Sequence, residues 1–178
     1  GYANKFQLIP NGCDTSQFIK SESHRKESRS LWGVTDSHFV VGMVARYDPQ
    51  KDHENLINAL SVAVEGIENI KLVLVGTDIV SSNKQLIETI RKYGMAGNVI
   101  LLGQKKNIHE VMNGFDIHVL SSLYGEAFPN VLTEAMSCGV PCVSTDIGEA
   151  SQIISECGWV LEPGNHQQLS LAITKAYK

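Results

Sequence analysis

Asp116-Ile-His-Val-Leu-Ser-Ser-Leu-Tyr-Gly-Glu-Ala-Phe-Pro-Asn-Val-Leu-Thr-Glu-Ala-Met-Ser-Cys-Gly139 contains one complete strand, loop and helix start in sequence, and that order decides the fold. Asp116 to Ser121 reads as a buried strand. Tyr124 and Gly125 open a loop carrying Glu126, and a short helix beginning near Pro129 and Asn130 carries Glu134. Proline suits a helix start and asparagine is a good N-cap, so backbone N–H groups from about Asn130 to Thr133 are expected to lack helical partners. Such a terminus can hold an anion. Glu134, one turn in, shares a helical face with Asn130 and Val131.

Outward from this unit the same alternation repeats. Phe39 to Ala45, Ile70 to Val75, Asn98 to Leu102, Pro141 to Thr145 and Gly158 to Leu161 are short apolar runs. Between them lie amphipathic segments at Glu54 to Val64, Asn83 to Tyr93, Ile108 to Phe115 and Glu149 to Ser155, with a last helix at Gln167 to Tyr177. A polar run from Ser21 leads into Leu31 and Trp32 and reads as a helix ended at Gly33. Lys5 to Gly12 reads as a lead-in strand closed by Pro10 and Asn11-Gly12. Strands alternating with helices predict right-handed crossovers and a doubly wound α/β fold, a parallel, Rossmann-like sheet covered on both faces. In such a sheet ligands bind beyond the carboxyl ends of the strands, where the strand order switches.

Composition narrows the function. At 178 residues, 43% hydrophobic and 19% charged, the chain can build one full core. A formal charge of −4 leaves no basic footprint for nucleic acid. No stretch is long and apolar enough to span a membrane and no signal peptide opens the sequence, so a cytoplasmic protein is expected. Cys13, Cys138, Cys142 and Cys157 form no CxxC pair and read as small apolar residues in a reducing compartment.

Arg46 and Lys51 follow the first strand of the repeat, five positions apart around Asp48-Pro49. A guanidinium fork and a mobile ammonium from one loop suit a diphosphate. Neither GxGxxG nor GxxxxGK[ST] is present, which disfavours a nicotinamide or flavin dinucleotide and a P-loop. A phosphate site would therefore combine Arg46 and Lys51 with the helix start near Asn130. Adding a diol on the Glu134 carboxylate gives the pattern of a sugar nucleotide. Each residue also has a plainer reading, since a first-turn glutamate is favoured by the helix dipole and lone surface cations are commonly just solvated. His53 and His118 read as packed or capped imidazoles.

Ile9-Pro-Asn-Gly-Cys-Asp14, Val41-Gly-Met-Val-Ala-Arg46 with Asp48-Pro-Gln-Lys51, Leu74-Val-Gly76, Leu101-Leu-Gly103 and Ser121 to Asp146 together resemble the retaining family 4 glycosyltransferases (glycosyl transferases group 1) of polysaccharide-building type. Glu126 and Glu134 match that family's Glu-x7-Glu pair. The resemblance implies the C-terminal, donor-binding half of a two-domain GT-B enzyme. On it, residues 1–20 are an interdomain linker with the lead-in strand, residues 21–178 are the nucleotide-sugar-binding domain, and the N-terminal acceptor domain is absent. Arg46 and Lys51 would hold the donor diphosphate with N–H groups near Asn130, Val131 and Leu132, and Glu134 would bind ribose. Glu126, with Ala127, Phe128 and Asn130, would face the sugar, and the base would lie near Gly103 and Gln104. Glu126, Arg46 and Lys51 carry the implied catalytic roles.

The implied reaction is a retaining, metal-independent hexosyl transfer from a UDP- or GDP-sugar to a saccharide or lipid-linked acceptor, with no cofactor. The full-length protein would sit in the cytoplasm or at the inner face of the cell membrane. Alone, the chain is expected to bind nucleoside diphosphate weakly and to transfer no sugar. A nucleotide-sugar epimerase of the same architecture and a non-catalytic nucleotide-sugar-binding module are the alternatives. Two departures from the family pattern stand out: Lys51-Asp52 where many relatives have Lys-Gly, and Gly148-Glu-Ala in place of a glycine pair.

Overall fold

The computed structural model describes residue 9 and residues 11–178. Most of the expected lead-in strand, Lys5 to Gly12, lies outside the described residues. Residues 11–20 form loop and turn.

Six strands, β1 (Phe39–Val44), β2 (Ile70–Val75), β3 (Val99–Leu101), β4 (Ile117–Leu120), β5 (Cys142–Thr145) and β6 (Gly158–Leu161), make one sheet in the order β3-β2-β1-β4-β5-β6. All neighbouring strands are parallel. From β1 the chain moves outward to β2 and β3, then returns across β1 to start β4. The loops after β1 and β4 therefore leave the sheet side by side and turn in opposite directions, the arrangement that opens a crevice.

Seven helices cover the sheet: α1 (Glu22–Leu31), α2 (His53–Ala63), α3 (Lys84–Lys92), α4 (Ile108–Asn113), α5 (Asn130–Ser137), α6 (Ala150–Ile154) and α7 (His166–Tyr177). Alternating residues of β1 feed two cores. Val41 and Met43 pack with Leu56, Leu60, Leu86 and Ile173 beneath α2, α3 and α7. Val40 packs with Met112, Phe115, Leu132 and Ile154 beneath α1, α4, α5 and α6. Burial on both faces is why these strands read as continuous apolar runs.

Side chains cap four helices. Ser21, Asp52, Asn83 and Asn165 accept from the N–H groups of His24, Asn55, Leu86 and Gln168 at the starts of α1, α2, α3 and α7. Asp52 does so in a left-handed conformation (φ 47°, ψ 55°). A left-handed backbone favours glycine, so this chain takes αL strain at Asp52 in exchange for a helix cap.

Candidate functional site

The loop after β1 is a short 3-10 turn, Pro49–Lys51, capped by the Asp48 side chain on Gln50 N. The turn aims Lys51 at the neighbouring loop, where its Nζ pairs with Glu126 Oε1. Their side chains are only 14% and 11% exposed. Ser122 Oγ donates to the same oxygen at 2.6 Å, while Glu126 Oε2 has no hydrogen-bond partner among the described residues. One backbone and one side-chain bond fasten the two loops together, with Leu123 N donating to Gln50 O (2.8 Å) and Ser121 Oγ to Lys51 O (2.9 Å). A cation and a carboxylate from two separate strands thus meet at the switch in strand order.

A third loop supports Glu126 from below. Gly148, after β5, has φ 62°, and a Cβ there would run into the carbonyl oxygens of Glu126 and Ala127. Glu149 N donates to Ala127 O at 2.9 Å. Ser122 is a site residue that the sequence reading did not single out, and Gly148 was noted there only as part of a departure from the family pattern. A serine pair straight after a buried strand, and a glycine retained where its neighbour had changed, were the available signals.

Arg46 departs from the expected convergence of two cations. Its Nε donates to Asp48 Oδ2 and its Nη2 to Gln50 Oε1, both at 3.2 Å, and its side chain is 57% exposed. Two acceptors within the same loop hold the guanidinium back, whereas Lys51 reaches out. The Gln50 N–H, and after it Arg46, hold the Asp48 carboxyl below the usual range.

At α5 the cap also differs from expectation. Pro129 is the N-cap (φ −73°, ψ 92°) and Asn130 is already helical, its Oδ1 accepting from Asn11 Nδ2 at 3.2 Å. No side chain caps this helix. Leu132 N donates to Pro129 O at 3.0 Å, and the Leu132 side chain is fully buried, so its N–H is not open to a ligand as expected. The N–H groups of Asn130 and Val131 have no acceptor among the described residues. Leu132 thus drops out of the expected donors, while Asn130 and Val131 stand at the positive end of the helix dipole.

Glu134 is half-buried and makes no side-chain hydrogen bond among the described residues; burial raises its carboxyl above the usual range. An ionised carboxylate there has unused acceptor capacity. Gly103, expected to meet a base through its main chain, has both groups engaged: its N–H donates to Ile79 O (3.0 Å) and its C=O accepts from Gly76 N (2.9 Å). Gln104 beside it is exposed, as is Ala127, and Phe128 is half-buried. His53 and His118 are packed as expected. Neither ring has a hydrogen-bond partner among the described residues, and burial pushes both imidazoles down to about 4.

The family model for glycosyl transferases group 1 matches residues 24–178. The crystal structure of Anabaena HepE in complex with UDP-glucose superposes with a TM-score of 0.87 at 29% identity, covering 97% of this chain and 48% of that one. An Escherichia coli enzyme, UDP-Gal:alpha-D-GlcNAc-diphosphoundecaprenol alpha-1,3-galactosyltransferase, is 29% identical over 80% of this chain and 37% of its own length. The crystallised C-terminal domain of the Francisella tularensis group 1 protein LpcC shares the fold, with a TM-score of 0.77 over 93% of this chain and 88% of that domain at 22% identity. This chain spans less than half the length of the curated relatives compared with it, from 34% to 46%. With the family match running through every strand and every site loop described above, the chain belongs to the glycosyl transferases group 1 family.

Proposed function

We propose that this chain is the nucleotide-sugar-binding half of a retaining hexosyltransferase, and that its crevice takes the diphosphate and sugar of a UDP-sugar. The observation that carries the reading is the Lys51–Glu126 pair at the strand-order switch, beside the two unpartnered N–H groups of Asn130 and Val131. The likeness to HepE, crystallised with UDP-glucose, favours uridine over guanosine. Lys51 and the α5 terminus bind the diphosphate. Arg46 leaves Asp48 and Gln50 to join them, which its exposure permits. Glu134 accepts from ribose hydroxyls, Glu126 faces the sugar, and the base lies beyond Gly103, toward Gln104.

Loss of the nucleoside diphosphate builds negative charge on its oxygens. Fixed cations and helix N–H donors stabilise that charge most when it peaks, so they accelerate departure beyond what they add to ground-state binding. Neither glutamate need attack the sugar. The transfer is metal-independent, and the leaving diphosphate takes the acceptor proton. The acceptor, a saccharide or lipid-linked saccharide, binds an N-terminal domain of the full-length protein, which works in the cytoplasm or at the inner membrane face.

Calorimetry with UDP, GDP and UDP-glucose tests the reading. UDP is expected to bind with one site per chain, and Glu134→Ala to weaken it by about 10- to 100-fold, matching a charge-assisted hydrogen bond of about 1.5 to 3 kcal/mol. Unchanged affinity in that variant, or no heat from any nucleotide, contradicts the assignment.

A further inference from the structure

A second cluster of chemistry-bearing side chains lies away from the crevice, where α1 packs on α4. We propose that His24, His109 and Glu110 form a site for a borderline divalent cation, with zinc the best match. One ligand atom from each residue lies within 4.8 Å of the others. Two imidazole nitrogens and a carboxylate oxygen are the donor set of open zinc sites, with a fourth position left for water. None of the three belongs to the loops after β1 or β4, and the proposal does not depend on the donor reading.

Three observations point to a ligand here. The His24 Nδ1 atom is buried and has no hydrogen-bond partner among the described residues. The two rings approach edge to face with centroids 5.5 Å apart, so their nitrogens gather without the rings stacking. His109 Nδ1 lies 3.4 Å from the Gln17 side-chain amide, and His109 Nε2 lies 3.9 Å from Glu110 Oε1. The Gln17 amide nitrogen faces Nδ1 and donates to it as placed; turned by 180° the amide presents its oxygen instead, so that Nδ1–H donates to it and Nε2 keeps its lone pair for a cation. Asn107 Nδ2 likewise holds Glu110 Oε1 at 3.0 Å.

Donors on a tetrahedral zinc stand about 3.3 Å apart, so binding draws these side chains together by up to about 1.5 Å, within the reach of rotation at three partly exposed residues. The cation would cross-link α1 to α4 and hold α1 on the domain.

Zinc competition against a chromogenic chelator, with tag-free protein, tests the site. The expected result is one zinc per chain, with His24→Gln and His109→Gln each weakening it by about tenfold or more while metal-free melting temperature is kept. Zinc should raise the melting temperature of the parent chain and not of the double variant. Cobalt should give a tetrahedral spectrum without a sulfur charge-transfer band. Should His24→Gln fail to fold, the His109→Gln and Glu110→Gln titrations decide alone. No zinc binding, binding unchanged in the His109 variant, or a sulfur band from cobalt would each overturn the proposal.

Discussion

Two carboxylates bracket β4, and their surroundings differ. Asp116, just before the strand, accepts from Arg25 Nη2 at 2.6 Å, from Arg29 Nη1 at 3.1 and 3.2 Å, and from Val40 N at 2.7 Å. Arg29, 2% exposed, adds bonds to the carbonyls of Gly114, Thr35 and His38, leaving only its Nε without a partner. Glu126, after the strand, uses one oxygen for Lys51 and Ser122, and its other oxygen has no partner among the described residues. The first cluster is closed: its charges have found protein partners from α1, β1 and β4, and it fastens the floor of the sheet. The second is open, next to a helix with no side-chain cap. A buried ion pair that merely holds a fold is expected to saturate its hydrogen bonds; one that waits for a ligand keeps some in reserve.

The largest effect should follow from breaking the closed cluster. Asp116→Ala leaves the buried Arg29 cation without its counter-ion and should cost about 3 to 5 kcal/mol, measured by urea unfolding. A loss under 1 kcal/mol would mean the two clusters do not differ in kind.

His118 lies between them, on β4 itself, with neither ring nitrogen hydrogen-bonded to the described protein. Its folded-state value of about 4 stands below the ordinary 6.5. Below about pH 6.5 the unfolded chain takes up a proton that the folded chain refuses. Stability therefore falls as pH drops from 6.5 to 4, by up to about 3 kcal/mol from this group. His118→Leu should raise the melting temperature and flatten that slope. An equally steep slope in the variant would assign the acid sensitivity elsewhere, with His53 first in line.

At the open cluster the order of effects should reverse, with binding changing more than stability. Lys51→Gln keeps a hydrogen-bond donor for Glu126 and removes the charge. UDP affinity should drop by about 10- to 100-fold, with a folding loss below that of Asp116→Ala because an amide and Ser122 still donate to Glu126, as calorimetry and thermal unfolding can separate.

Glu134 gives the smallest change and the most diagnostic sign. Burial lifts its folded carboxyl above the ordinary 4.5, so its ionisation disfavours the folded state, a penalty absent at low pH and complete above the raised value. Glu134→Gln should therefore stabilise the ligand-free chain slightly at neutral pH while weakening UDP. In the parent chain, UDP affinity should decline as pH falls through the raised value, and in the variant it should not. Matching pH profiles would remove Glu134 from the site.

Much of this was legible in the sequence because it rests on periodicity. All six strands and all seven helices fall where apolar spacing and breakers predict them, since burial on both faces writes continuous apolar runs and each amphipathic helix writes its own stripe. The site was legible as positions rather than as contacts. Lys51 and Glu126 could be placed after β1 and β4, but not their pairing, which depends on a turn geometry spanning three residues. Nor could the contacts of Arg46 be read in advance, because its neighbours Asp48 and Gln50 offer acceptors within its own loop. The cap of α5 shifted by one residue because Pro129 took the N-cap position and Asn11, over a hundred residues away in sequence, engaged Asn130. The Arg25–Arg29–Asp116 cluster left no local signature, because α1 and the approach to β4 that meet in it lie some ninety residues apart in sequence.

The central claim is that a nucleotide sugar binds between Lys51, Glu126 and the start of α5. The most direct test is an amide-resolved NMR titration of the chain with UDP-glucose. The account predicts the largest shifts at Lys51, Glu126, Asn130 and Val131, with Asp116 and Val40 unmoved. Saturable binding whose largest shifts lie elsewhere, or no shifts at millimolar ligand, would contradict it.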